Sequence, residues 1–222
     1  MVDYALDLPL MFRARLRALQ ARLAPAGSRR HKYLRAFWRR IRGGILFGPP
    51  RLTFLLPVDG ADRAALDATI DSLLAQIDRR WEAVLVGDRA AEVRARLPHD
   101  PRIVESAAAG DTAARFNTAA AAAHGASVAV ISAGDLLLPH AVGAIGRAAA
   151  SAVGTIVYGD EMDCSKPDWS PELLLAFPYA GRLCAIPRDA VARLGGWTGE
   201  TLAADDYRLL LAAARAAASS SR

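Results

Sequence analysis

From residue 51 onward the chain alternates short apolar runs with longer amphipathic ones. The run Leu-Thr-Phe-Leu-Leu-Pro-Val at 52–58 opens the series and reads as a buried strand. Further strands are predicted at 83–86, 102–105, 128–132 and 155–158, with a later one near 183–186. Helical spacing fills the intervals at 64–76, 90–97, 112–124 and 141–150. Strands alternating with helices give an α/β protein with a mostly parallel central sheet flanked by helices. The stretch from Ser127 to His140 is its centre, because an apolar run there delivers a lone carboxylate, Asp135, into a loop before Pro139. In open α/β sheets ligands bind at the carboxyl ends of strands. Capping of the turn at Leu136 is the plainer use of the same side chain.

The pattern before residue 51 is different. Phe12, Leu16, Leu19 and Leu23 recur at helical spacing among Arg13, Arg15, Arg17 and Arg22, and Leu34, Phe37, Trp38 and Ile41 do so among Arg35, Arg39, Arg40 and Arg42. Residues 1–48 thus read as a basic, amphipathic helical appendage, and 49–222 as the main domain. Charge sharpens the division. Residues 1–50 hold eleven Lys/Arg against Asp3 and Asp7, a net +9, whereas the remainder holds seventeen against twenty-one, a net −4. Two uses of the appendage stay open: association with an anionic membrane surface, or packing of a solvated basic helix on the domain.

Composition excludes several classes. A main domain with net negative charge lacks the basic stripe that phosphate tracking needs, so no nucleic-acid partner is expected. No apolar run reaches the ~18 residues that cross a bilayer, and Asp3 and Asp7 precede any basic residue, unlike a secretory signal. Two cysteines, Cys164 and Cys184, make no disulfide framework and read as reduced thiols of a cytoplasmic protein without a zinc site.

A series of short motifs then carries the chemistry. Pro57-Val58-Asp59-Gly60 ends the first strand, Ser72-Leu73-Leu74-Ala75-Gln76 lies on the first helix, and Trp81-Glu82-Ala83-Val84-Leu85-Val86-Gly87-Asp88 forms the second strand. Gly110 to Asn117, the strand leading to Asp135 and Pro139, and Tyr158-Gly159-Asp160-Glu161 follow. Lys166-Pro167-Asp168-Trp169-Ser170-Pro171-Glu172-Leu173-Leu174, Gly195-Gly196-Trp197 and Asp205-Asp206-Tyr207-Arg208-Leu209 complete the series. In order and spacing, from about residue 51 to 211, these resemble the family 2 glycosyltransferases, in particular the rhamnosyltransferase-like branch that builds bacterial surface polysaccharides.

The resemblance implies a GT-A fold, hexosyltransferase-type activity with inversion, a nucleotide-sugar donor, a glycan or lipid-linked acceptor, and a divalent cation, Mg²⁺ or Mn²⁺. Such chemistry wants carboxylates, because a diphosphate leaving group needs its charge neutralised and an acceptor hydroxyl must lose a proton. Carried over by position, Asp206 is implied as the catalytic base with Asp205 as its acidic neighbour, and Asp135 as the metal-loop carboxylate. Pro57, Asp59, Asp88, Arg115, Asn117, Asp160 and Glu161 are implied on the nucleotide and donor side. The plainer readings are turn carboxylates for Asp88 and a helix N-terminal acid pair for Asp205 and Asp206.

The chain departs from the family pattern at three places. Asp59-Gly60 stands for its Tyr-Asn pair, Gly87 for the first Asp of its Asp-Asp strand end, and Ser132 and Gly134 for two Asp of its metal loop. The departures support a second reading, a catalytically weak glycosyltransferase-like module for binding or assembly. For the appendage, deletion of residues 1–44 is expected to abolish binding to anionic liposomes in a co-sedimentation assay; equal binding by the full chain and the deletion would favour the packed-helix reading.

Overall fold

A computed structural model describes residues 51–151, 154–161, 165–199 and 202–220. The appendage expected over residues 1–48 lies outside them, as does Cys164. In chain order the elements are β1 (Leu52–Pro57), α1 (Arg63–Leu74), β2 (Trp81–Val86), α2 (Ala90–Arg96), β3 (Ile103–Glu105), α3 (Thr112–Ala122) and β4 (Ser127–Val130). They continue with α4 (Ala141–Ser151), β5 (Val157–Tyr158), α5 (Pro171–Ala176), β6 (Cys184–Pro187), α6 (Arg188–Arg193) and α7 (Leu202–Ser220). Each strand and helix read from the pattern between residues 51 and 186 is present within a few residues. Of the three helices after residue 165, α5 and α6 were not predicted, while α7 carries the alanine-rich run at 212–218 whose composition favours helix.

The sheet order is β3-β2-β1-β4-β6-β5. Strands β1 to β4 run parallel, while β6 is antiparallel to both β4 and β5. The chain steps outward from β1 through β2 to β3 and then returns to the other side of β1, so the strand order reverses between β1 and β4. The carboxyl ends of those two strands therefore flank a crevice, where open α/β sheets bind ligands.

Period-two alternation gives the sheet two apolar faces. Leu52, Phe54 and Leu56 point to one, against Leu66, Ile70 and Leu73 of α1 and Val142 and Ile145 of α4. Leu55, Val84 and Val86 point to the other, against Phe116 of α3, Val191 of α6 and Leu209 and Leu210 of α7. Burying each such side chain stabilises by about 1.5–3 kcal/mol relative to exposure. Side-chain caps set the helix starts: Asp62 accepts from the Ala65 N–H, Asp111 from that of Ala114, and Ser170 from that of Leu173 with Pro171 following. No helix among the described residues is long and apolar enough to cross a membrane.

Two acids are buried among the described residues, Asp205 of α7 and Glu82 of β2, and the second belongs to the sheet. Glu82, 8% exposed, accepts from the Thr53 hydroxyl at 2.6 Å and from the backbone N–H groups of His124 and Gly125, and its second oxygen lies 3.0 Å from the His124 ring. It ties β1 and β2 to the turn before β4. That turn passes so near β1 that a Cβ on Gly125 would stand 2.6 Å from the Thr53 nitrogen. Gly125→Ala is expected to destabilise the fold by about 1–3 kcal/mol, because the neighbour is strand backbone and not a mobile side chain; urea unfolding at unchanged m-value checks it.

Candidate active site

Along one face, helix α1 and the turn that ends it present a stripe of polar groups, the Ala65 carbonyl and the side chains of Thr69, Ser72 and Gln76. The stripe holds the loop that follows β4. The Gly134 N–H donates to the Ala65 carbonyl (3.2 Å) and the Thr69 hydroxyl (2.8 Å), and the Leu137 N–H donates to the Ser72 hydroxyl (3.2 Å). Gln76, 4% exposed, donates to the carbonyls of Leu137 and Leu138 at 3.4 and 2.8 Å and accepts from the Val142 N–H at 3.0 Å. The Ser-Leu-Leu-Ala-Gln motif thus works as a clamp on residues 132–142.

Asp135 sits in that clamped loop. Its carboxylate accepts from the Ser132 N–H at 2.7 Å, closing a turn, and both of its oxygens lie 3.1 Å from Nη1 of Arg182. Gly134 adopts φ +96°, a conformation L side chains rarely take, so a carboxylate at 134 would meet an unfavourable backbone.

A cavity of about 540 Å³ opens beyond this loop, lined among others by Asp135, Arg182, Cys184, Trp197, Asp206 and Tyr207. It brings together two acids taken from separate motifs, Asp135 and Asp206. Asp206, in the first turns of α7, accepts from the Trp197 indole N–H at 2.9 Å. Burial pushes its carboxyl up to about 6, with the adjacent Asp205 charge adding to the shift and the Trp197 hydrogen bond and Arg182 opposing it. Burial also pushes the Cys184 thiol up to about 12, leaving it a neutral wall.

Asp205 has a different fate, although it is only 3% exposed. Burial pushes it up, but it accepts from the Thr198 hydroxyl (2.6 Å), the Thr198 N–H (3.0 Å) and the Gly199 N–H (2.9 Å), and these bonds hold it below the usual carboxylate range. Its carboxylate is occupied in anchoring the turn after Trp197.

The expected nucleotide-side residues separate into two groups. At the ends of β1 and β2, Arg115 bridges Asp59 (3.3 Å) and Asp88 (2.6 Å), while Asp59 accepts from the N–H groups of Asp88 and Arg89 at the start of α2. Pro57 closes β1 beside Val86. A Cβ on Gly87, at φ +142°, would stand 2.6 Å from the Asp59 carboxyl. The departures at 59 and 87 are therefore one change: the carboxylate of Asp59 fills the space over Gly87.

The second group supports other parts. Asn117 pairs both ways with the Trp197 backbone, at 2.8 and 2.9 Å, and sets the indole near Phe116 with ring centroids 5.5 Å apart. Asp160 accepts from the Lys166 N–H at 2.9 Å, and Glu161 lies 3.0 Å from the buried Lys166 ammonium. The same ammonium donates to the carbonyls of Ala180 and Arg182. Asp160, Glu161 and Lys166 thus brace the loop before β6. Arg182 and Lys166 were not among the expected site residues, and Trp197 was seen only as part of a motif.

A divalent cation needs several oxygen ligands. Here the loop offers Asp135 alone, its two oxygens already facing a guanidinium, and no group of three His, Cys, Asp or Glu converges among the described residues. The residues present do not fit a cation held by protein carboxylates.

Comparisons with known proteins agree with this fold. O-antigen biosynthesis protein RfbC of Myxococcus xanthus is 31% identical over 170 residues, 66% of this chain but only 13% of RfbC. Among solved structures, S. aureus TarS 1–349 in complex with UDP-GlcNAc is similar with a TM-score of 0.55 at 12% identity, over 73% of this chain and 53% of that one. Mannosyltransferase PcManGT from Pyrobaculum calidifontis, in complex with GDP-Man and Mn²⁺, gives a TM-score of 0.52 at 22% identity, over 79% and 57%. No family model matches the chain. The fold is the GT-A fold expected of a glycosyltransferase.

The raised carboxyl of Asp206 has a thermodynamic signature. Between its ordinary value and about 6 the folded protein keeps a proton that the unfolded chain has released, so the stability it contributes is present at low pH and lost as pH rises to about 6. Asp206→Asn carries no charge to bury. Its stability relative to the parent should improve by on the order of 3 kcal/mol between about pH 4 and pH 7.5. Urea unfolding at the two pH values measures this, and parallel curves would show Asp206 to be solvated.

Proposed function

We propose that this chain, which has the GT-A fold and is similar in sequence to part of an O-antigen biosynthesis protein, is a surface-polysaccharide glycosyltransferase that transfers a sugar from a nucleotide-sugar donor to a glycan or lipid-linked acceptor with inversion. The observation that supports it most is the meeting of Asp135 and Asp206 in one cavity at the carboxyl end of β4. Beside it, Asp59, Asp88 and Arg115 form a polar cluster at the ends of β1 and β2. In this reading the nucleotide lies over that cluster, with its diphosphate directed toward Asp135 and the sugar toward Asp206.

Asp206 is the base. A carboxyl brought to about 6 takes a proton more readily than an ordinary surface aspartate while staying ionised at neutral pH, which suits general base work. The acceptor hydroxyl gives its proton to Asp206 as its oxygen bonds to the anomeric carbon. On the opposite face the bond to the diphosphate oxygen breaks, and the nucleoside diphosphate leaves with the electron pair. One displacement gives inversion. Trp197 keeps the base oriented through its indole N–H, and Asn117 keeps Trp197 in place. The Pyrobaculum mannosyltransferase of this fold is seen with Mn²⁺, whereas the residues around Asp135 here do not fit a cation held by protein carboxylates.

The basic residues 1–48 complete the proposal by holding the enzyme at the cytoplasmic face of an anionic membrane, close to a lipid-linked acceptor. The lone acid of the metal loop favours the second reading, a weak or inactive module for binding or assembly.

Release of nucleoside diphosphate from a panel of UDP-, dTDP- and GDP-sugars separates the two. In the enzyme, Asp206→Asn should cut turnover by about 100-fold or more while leaving donor affinity near that of the parent. The rate of the parent should rise with pH up to about 6 and then level, a limb that Asp206→Asn removes. Transfer by Asp206→Asn at the parental rate would dismiss it as the base, and absence of release from every donor would favour the binding module.

A further inference from the structure

The misfit between the loop of Asp135 and a divalent cation has a counterpart across the cavity. Among the described residues Arg182 is the only Lys or Arg lining that cavity, and its guanidinium stands where it neutralises the sole loop carboxylate, 3.1 Å from each oxygen. Resting on the nucleotide-sugar reading above, we propose that Arg182 supplies the positive charge that the diphosphate of the donor requires, in place of a protein-bound divalent cation, with Asp135 as its positioning partner.

Several features aim this side chain. Residues on both sides of Arg182 adopt left-handed backbone, Gly181 at φ +59° and Leu183 at φ +55°. For a leucine that conformation is costly and persists only where the surroundings impose it. The surroundings here are the Lys166 ammonium, with a side chain 4% exposed, which donates to the Ala180 carbonyl at 2.8 Å, reaches that of Arg182 at 3.5 Å and pairs with Glu161. A Cβ on Gly181 would come within 3.0 Å of that pair. The loop is thus fixed from behind, and the opposing carboxylate is fixed by the Ser132 N–H and the clamp from α1.

The electrostatics favour the same assignment. A diphosphate entering a cavity that already holds Asp135 and Asp206 meets like charge, and only a cation can offset it. A guanidinium has five N–H donors in a planar fork that matches phosphate oxygens. Nη1 alone spans both oxygens of Asp135, and no other hydrogen-bond acceptor for this guanidinium is found among the described residues. A divalent cation on Asp135 would instead sit against a positive charge about 3 Å from its ligands and would have to displace it.

Calorimetric titration of the full chain with UDP, dTDP and GDP, in EDTA and again in Mn²⁺, tests the assignment. At least one of these nucleotides should bind in EDTA, with an affinity that Mn²⁺ changes little. Arg182→Ala should weaken that binding by about tenfold or more, Arg182→Lys by less because charge is retained without the fork, and Asp135→Asn by less than Arg182→Ala. Thermal melts report whether each variant is folded, and the Lys variant carries the test if the Ala variant is not. Binding that requires Mn²⁺ and is unchanged or improved in Arg182→Ala would overturn the assignment while leaving the donor reading intact. Failure of all three nucleotides to bind under either condition would bring down the donor reading, and the assignment with it.

Discussion

The arrangement of this molecule depends on the polar stripe of α1. A loop of some ten residues between a central strand and the next helix has its own backbone donors and acceptors to satisfy, and water can satisfy them in many conformations. Thr69, Ser72 and Gln76 replace that freedom with a single arrangement, because each reaches a different peptide group of residues 132–142. Gln76 contributes most, since a buried amide that lost its partners would leave unsatisfied polar groups at a cost of about 1–3 kcal/mol each. The position of Asp135 is inherited from a helix on which it does not lie.

The two neighbouring acids of α7 show how one local sequence serves two physical purposes. Asp205 gathers three hydrogen bonds and stays charged as an anchor, whereas Asp206 receives one from an indole and is raised by burial. The first fixes the turn that carries Trp197 and so restricts the second. Two titratable groups whose surroundings drive them apart are the usual sign of divided labour in a site.

Much of the fold was legible because parallel strands and their covering helices write themselves as alternating apolar runs. The strands from β1 to β4 and the helices between them follow that signal closely. Helices α5 and α6 have six residues each, too few to establish a period, and are announced only by Ser170-Pro171 and by Pro187. For α7 the alanine-rich stretch indicated helix, but its buried face at Leu209, Leu210 and Ala214 emerges only against the sheet. The candidate site was legible where a strand end presents a carboxylate to the crevice, as at Asp88 and Asp135. It was illegible where residues far apart in sequence meet: no spacing announces that Arg182 faces Asp135, that Asn117 clasps Trp197, or that Asp59 lies over Gly87.

The antiparallel course of β6 has an effect on how the site is divided along the chain. A parallel neighbour of β4 would begin at the far edge of the sheet and deliver only its end to the crevice. Running the opposite way, β6 begins at the crevice, so the loop before it and the carboxyl ends of β1, β2 and β4 face each other. The polar cluster of Asp59, Asp88 and Arg115 is therefore drawn from an early stretch of sequence, and the wall with Arg182, Trp197 and Asp206 from a late one. Substitutions in one stretch can reshape its own wall of the crevice while the strand ends that carry the other stay in place, a modularity by which one scaffold can diversify its sites.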